Sequence, residues 1–235
     1  MPYSGALEAL SEIPVRKPIM QALRNDAIKT FDSLAHAQFK NTLLRVVPAA
    51  GTSTSSLALT TDGTATVTNN IAFNLSHAKL VVDLMKERNI PPYEADDYYA
   101  IGWPSTFRTF KNNLESVMQY TSEGFGKLMN GEIGRYDNIR YVEQTHIPKG
   151  GAADSTTWNP YTDTADAWNN GLSDWIFFCG EDTVAEGINT PEEVRAKIPT
   201  DYGRSKGVAW YALVGFGLVH TTAAQARVVM WDSAQ

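Results

Sequence analysis

Hydrophobic positions recur at helical spacing from Pro18 to about Val46. Met20, Leu23, Ala27, Phe31, Leu34, Ala35, Phe39 and Leu43 line one side, while Arg24, Asp26, Lys29, Asp32 and Lys40 take the other. Pro18 suits a first helical turn and Pro48 closes the segment, which predicts one helix long for a globular domain. No second helix of matching length is present to pair with it as a coiled coil. Before it, weak helical character around Ala6 to Leu10 meets Pro14. After it, residues 49–70 are almost uncharged and rich in Ser and Thr. Leu57 to Thr61 and Thr64 to Thr68 read as a hairpin around Asp62-Gly63, or equally as a flexible surface loop. Asn74 or Ser76 then caps a helix to Asn89 with Leu80, Val81, Leu84 and Met85 inward, and Ile90-Pro91-Pro92 stops it. Tyr98 to Trp103 is a short buried strand. Pro104 or Ser105 starts a third helix through Phe107, Phe110, Leu114 and Met118.

Glu123 to Met129 is a helical lead-in that runs into Asn130-Gly131, a pair that ends a helix or turns the chain. Glu132 to Tyr136 and Ile139 to Gln144 then alternate loosely around Asp137-Asn138. Both of those residue types tolerate positive φ, so the spacing predicts a two-residue hairpin. Residues 149–172 form a long polar loop holding Trp158 and Trp168. The apolar strand Asp174 to Cys179 follows. Thr190-Pro191-Glu192-Glu193 reads as a capping box opening a short helix to Ile198. Val208 to Val219 and Ala226 to Trp231 close the chain as a β pair. No repeat is visible, and the mixture of helices and meandering strands is α+β.

At 235 residues and 43% hydrophobic, the chain can bury one large core or two small ones. The formal net charge of −6, without clustered Lys or Arg, excludes a dedicated DNA binder. Cys179 is the only cysteine, which removes intrachain disulfides and CxxC metal sites and suits a reducing compartment. Within Trp175 to Cys179 it reads as a small buried hydrophobe. No apolar run approaches membrane-spanning length, and Met1-Pro2-Tyr3-Ser4 does not open a secretory signal. The expectation is a soluble chain, intracellular when made, with no membrane partner.

Candidate chemistry is sparse. His36, His77, His146 and His220 have no partner at a zinc-ligand spacing, and there is no G-x-S-x-G elbow. Gly215-Phe216-Gly217 lacks the third glycine of a dinucleotide fingerprint and reads as a strand kink where backbones approach closely. Gly124-Phe125-Gly126-Lys127 lacks the spacing of a phosphate loop. The adjacent carboxylates Asp96-Asp97 and Glu192-Glu193 point opposite ways on a strand, whereas an acid–base pair has to converge. Asp163, Asp166 and Asp174 miss the calcium-loop pattern. No catalytic residue, metal or cofactor is expected.

The stretch Lys127 to Thr145, with NGEIGR followed by an arginine, an aromatic and VE-x-T, resembles the helix–turn–hairpin signature of a family of tailed-bacteriophage major capsid proteins. That family is typified by the coat protein of the N-four-like phages. The likeness continues in order over about two-thirds of the chain. ALRNDAIKTFDSLAHAQF, Ala22 to Phe39, is similar to the family's spine helix. His77 to Asn89 followed by IPPYEADDYYAIGWPSTFRTF looks like its next module, and the two closing strands sit where the family closes its sheet. Two departures stand out. Asp137-Asn138 replaces a customary glycine pair, and seventeen residues ahead of Pro18 are too few for the family's N-terminal arm and extended E-loop. The chain is therefore expected to be either a fragment or a minimal variant.

The resemblance implies an α+β, Hong Kong phage-type major capsid fold with a long spine helix, a peripheral-domain sheet and an axial domain. The expected division is a short N-terminal segment at 1–17, the spine helix and the first part of both domains at 18–120, and the signature hairpin, long loop and closing strands at 121–235. The implied function is self-assembly into pentamers and hexamers that close an icosahedral head shell around double-stranded DNA. Decoration, scaffolding or portal proteins would be further partners, with weak non-specific contact to packaged DNA. The virion would be its location, after synthesis in the host cytoplasm. Glu132, Arg135 and Arg140 are the expected subunit-contact residues, through charged contacts between or within subunits. An encapsulin-like compartment shell is one alternative. Another is a small α+β hydrolase or ligand-binding domain, with Trp158, Tyr161 and Trp168 lining a stacking pocket.

Overall fold

The computed structural model describes residues 2–4, 16–63, 71–118, 134–147, 174–197 and 205–233. Two compact units emerge, one from residues 1–35 with 186–217 and the other from 36–185 with 218–235.

The first unit contains β1 (Pro2–Ser4), most of α1 (Arg16–Ala37), and most of two long strands, β8 (Val184–Ala196) and β9 (Ser205–Leu218). The strand order is β1-β9-β8. β8 and β9 run antiparallel, since Val219 N bonds Thr183 O at one end and Lys197 N bonds Gly207 O at the other. On one side of the sheet Phe31 of α1 packs edge-on against Trp210 at 5.6 Å and near Phe216 at 6.4 Å. Asp26 accepts the Trp210 indole N–H at 2.9 Å. Much of α1's apolar surface stays in solvent: Leu23 is buried, but Ile28 is 57% exposed.

The second unit is a seven-stranded mixed sheet of order β3-β2-β10-β7-β4-β6-β5. Its strands are β2 (Leu44–Pro48), β3 (Leu57–Thr60), β4 (Tyr98–Gly102), β5 (Arg135–Tyr136), β6 (Ile139–Glu143), β7 (Asp174–Cys179) and β10 (Val228–Ser233). Both sheet faces are covered, which explains the unbroken apolar run of β7. Ile176 and Phe178 face the core built with Phe73, Val81, Met85 and Trp231; Trp175, Phe177 and Cys179 face a second cluster with Phe39, Ile147 and Met230. The first core is closed by α2 (Leu75–Glu87) through Ala78, Val81, Val82 and Met85, and by α3 (Arg108–Met118) through Phe110 and Leu114.

Local signals behave as their chemistry demands. Asn74, not Ser76, caps α2, its side chain accepting from His77 N at 3.0 Å. Asn89 takes φ +55°, with Asn89 N bonding Lys86 O and Ile90 N bonding Met85 O. That pair of bonds is a Schellman end. Asp137 and Asn138 take φ +48° and +58° between Tyr136 and its partner Ile139, the type I′ geometry of a two-residue hairpin.

Four expectations are corrected. α1 ends at Ala37, and Leu44–Pro48 is a strand parallel to β10 with Leu44 and Val46 fully buried. The sheet's demand for a central β-branched strand outweighs continued helical spacing. Leu57–Thr60 is a strand paired with Arg45 to Pro48 of β2, while Thr64 to Thr68, its expected hairpin partner, lies outside the described residues. The short helix at 190–198 is absent; Thr190 to Ala196 belongs to β8, because pairing with β9 satisfies a backbone that so short and exposed a helix could not. Val208 to Val219 and Ala226 to Trp231 do not pair, β9 and β10 lying in different sheets. A Cβ at Gly215 or Gly217 would meet nothing within 4 Å, so the close backbone approach read there is not found. The Ala6 to Leu10 segment, the Glu123 to Met129 lead-in and the 149–172 loop lie outside the described residues.

Candidate functional site

A turn at Tyr93 to Asp97 prepares the start of β4. Asp97 N donates to Glu94 O at 2.8 Å, Tyr93 N donates to Asp97 O at 3.0 Å, and Ala95 takes φ +53°. Strand alternation then sets Asp97, Tyr99 and Ile101 on one face and Tyr98, Ala100 and Gly102 on the other. β6 runs parallel to β4 with Tyr99 opposite Arg140, and β5 runs antiparallel to β6 with Arg135 opposite Arg140. Three strands thus bring two arginines to one carboxylate.

Asp97 is 2% exposed, among the few buried charged groups. Its Oδ1 accepts from Arg135 Nε and Nη2, each at 2.7 Å, and its Oδ2 from Arg140 Nε at 2.8 Å. Arg140 Nη1 also reaches Glu94 at 2.9 Å, and its guanidinium lies 5.9 Å from the Tyr99 ring. Burial by itself raises the Asp97 carboxyl, but hydrogen bonds from Arg140 and Arg135 outweigh it and hold its pKa below the ordinary value. Two carboxylates face two guanidiniums, so the cluster carries no net charge to attract a polyanion.

Arg135 and Arg140 therefore come together, while Glu132 lies outside the described residues. The arginine side chains remain 58% and 41% exposed on their outer sides. Asp97 was missed as the shared acceptor. Its partners are 38 and 43 residues away in sequence, and the only available clue was alternation, which puts it in phase with Tyr99. The arrangement is a network of ion pairs. It contains no nucleophile, and among the described residues no group of three or more His, Cys, Asp or Glu could hold a metal. Cys179 is fully buried among apolar groups, and burial pushes its thiol up to about 12. The stacking loop of Trp158, Tyr161 and Trp168 lies outside the described residues.

A second feature, within the first unit, is a groove between α1 and β8–β9. Met20, Leu23, Ile28, Phe31, Val194 and Trp210 line it, with Arg24, Glu192 and Glu193 at its rim.

No protein-family model matches this chain, and no curated protein matches it. Among solved structures it is similar to the capsid of Helicobacter pylori bacteriophage KHP30, with TM-score 0.67 and 14% identity over 100% of this chain and 73% of that one. It is also similar to the capsid of cyanophage Pam1, with TM-score 0.63 and 16% identity over 100% and 73%. A third is the capsid of cyanophage P-SCSP1u, with TM-score 0.59 and 15% identity over 100% and 71%. The likeness runs through both units and the whole chain, and it establishes the fold: α+β, of the Hong Kong phage type found in tailed-phage capsid proteins.

Proposed function

We propose that this chain is a major capsid protein that assembles into pentamers and hexamers and closes an icosahedral head shell around double-stranded DNA. The observation that carries this is the match along the entire chain to tailed-phage capsid folds. The signature from Asn130 to Arg135, with Arg140 and Val142-Glu143, favours the N-four-like coat proteins within that group. The unit holding α1 and β8–β9 corresponds to the peripheral domain and the seven-stranded unit to the axial domain, with residues 18–120 and 121–235 each contributing to both. The role is structural, and the location is the virion after synthesis in the host cytoplasm. Self-association is the main partnership; decoration, scaffolding and portal proteins and weak DNA contacts are secondary ones. Many modest interfaces repeated by symmetry supply the stability of such a shell. Arg135 and Arg140, through their exposed outer sides, and Glu132 are offered as charged contacts between or within subunits.

Negative-stain electron microscopy across a concentration and salt series tests this. Closed shells or discrete pentamers and hexamers are expected. A monomer at every concentration, also with an N-terminally longer chain, would overturn the assignment. Arg135→Glu is expected to shift assembly to higher protein concentration; unchanged assembly would remove the arginine from the subunit contacts.

A further inference from the structure

His77 is wholly buried at the start of α2. Its ring packs on Trp231 with centroids 4.7 Å apart and lies 6.4 Å from Phe73. Nε2 sits 3.0 Å from the Ser53 carbonyl oxygen. A carbonyl can only accept, so Nε2 carries the proton and Nδ1 of the neutral ring is a bare lone pair. That Nδ1 is buried with no hydrogen-bond partner among the described residues. A second proton could enter only there, placing a charge without an acceptor between two aromatic rings.

The ring also joins three parts of the second unit. Ser53 organises the turn at 49–56: its N donates to Ala49 O at 3.1 Å, and its Oγ accepts from Ser55 N and Ser56 N at 3.3 and 3.0 Å. His77 backbone N is the group capped by Asn74. Trp231 lies on β10, between β2 and β7 in the sheet. Among the described residues of these elements, the charged groups point elsewhere. Lys79, Asp83, Lys86 and Glu87 occupy the exposed side of α2. Arg88, at its far end, donates to Ala223 O at 2.6 Å. Arg45 on β2 lies 6.0 Å from the Trp175 ring on the other sheet face. The 49–56 turn contains no ionisable side chain.

We propose that His77 is an acid-sensitive staple. Neutral, it ties the 49–56 turn and the start of α2 to β10; protonated, it no longer fits and this part of the core opens. Burial holds its pKa below the ordinary imidazole value of 6.5, with the Ser53 bond pulling the other way. The unfolded chain therefore takes the proton first. Stability from the neutral ring is intact above about pH 6.5 and is lost as pH falls below it. In that window unfolding takes up as much as one proton, raising the unfolding constant up to about tenfold per pH unit. This property belongs to the folded chain, whatever it assembles into.

Urea unfolding of the full chain between pH 7.5 and 4.5 is the test, comparing wild type with His77→Gln, which keeps an N–H donor but does not titrate. The wild-type unfolding constant is expected to rise more steeply below pH 6.5 than that of the variant. Equal slopes would overturn the proposal. Should His77→Gln not fold, long-range nitrogen–proton NMR of the wild-type ring decides the matter. A fixed Nε2–H tautomer until unfolding supports the staple, and an ordinary titration near pH 6.5 in the folded chain refutes it.

Discussion

Arg140 donates through Nε to Asp97 Oδ2 at 2.8 Å, although 43 residues separate them. The bond spans the parallel β4–β6 pair and fastens the hairpin edge of the sheet to a carboxylate that is almost wholly withdrawn from water. Arg135 completes the arrangement from β5, a strand only two residues long that backbone pairing alone would hold weakly.

Taking the charge from the shared acceptor, and turning one of its oxygens into an N–H donor, weakens both ion pairs. Asp97→Asn is expected to cost about 1.5–3 kcal/mol, the usual range for hydrogen bonds to charged groups. Arg135→Gln, at a side chain largely in solvent, is expected to cost less than about 1 kcal/mol. Urea denaturation of the two variants against wild type checks the order, and equal effects would mean that Asp97 is not the hub.

The same carboxylate predicts an acid limb. Its folded pKa lies below the ordinary 3.8, so its contribution is present above that value and declines as pH falls through the depressed one. The stability gap between wild type and Asp97→Asn is expected to be constant from pH 7 to about 5 and to shrink below about pH 3.8. A gap unchanged down to pH 2.5 would contradict this. The window lies below the one set by His77, so the two acid effects separate along the pH axis.

Gly180 connects β7 to the turn before β8, and its N donates to Arg227 O at 2.9 Å. A Cβ there would sit 2.5 Å from Pro91 O and 2.7 Å from Ile90 Cγ2. Gly180→Ala is expected to destabilise by about 1–3 kcal/mol, because backbone on one side cannot retreat as a flexible side chain can. Gly215→Ala, in open space, is the control, expected within about 0.5 kcal/mol of wild type or slightly stabilising. Thermal melts of the two variants distinguish a steric glycine from an unforced one.

Asn138 holds φ +58° at the second turn position of the β5–β6 hairpin. Asn138→Gly is expected to be neutral or to stabilise by up to about 1 kcal/mol, whereas Asn138→Val is expected to destabilise, since a β-branched residue is strained there. A valine variant that melts with wild type would show that the left-handed turn is not required.

What could be read directly from the chain was local. The Asp137-Asn138 turn, the Asn74 cap, the stop at Ile90-Pro91-Pro92 and the buried strand Asp174 to Cys179 each depend on residues within a few positions of one another. The resemblance carried in NGEIGR and the segments around it pointed to the fold, although the described part of that stretch begins only at Gly134. Tertiary structure decided the rest. Leu44–Pro48 became a strand because β3 and β10 flank it, and Thr190 to Ala196 became strand because β9 offers a ladder. Burial made Asp97 a hub rather than half of an exposed acidic pair, and it set His77 apart from the other three histidines. Spacing along a chain records turns, caps and amphipathic faces; strand partners and the solvation of a charge depend on groups brought together from far apart, and only the folded chain assembles them.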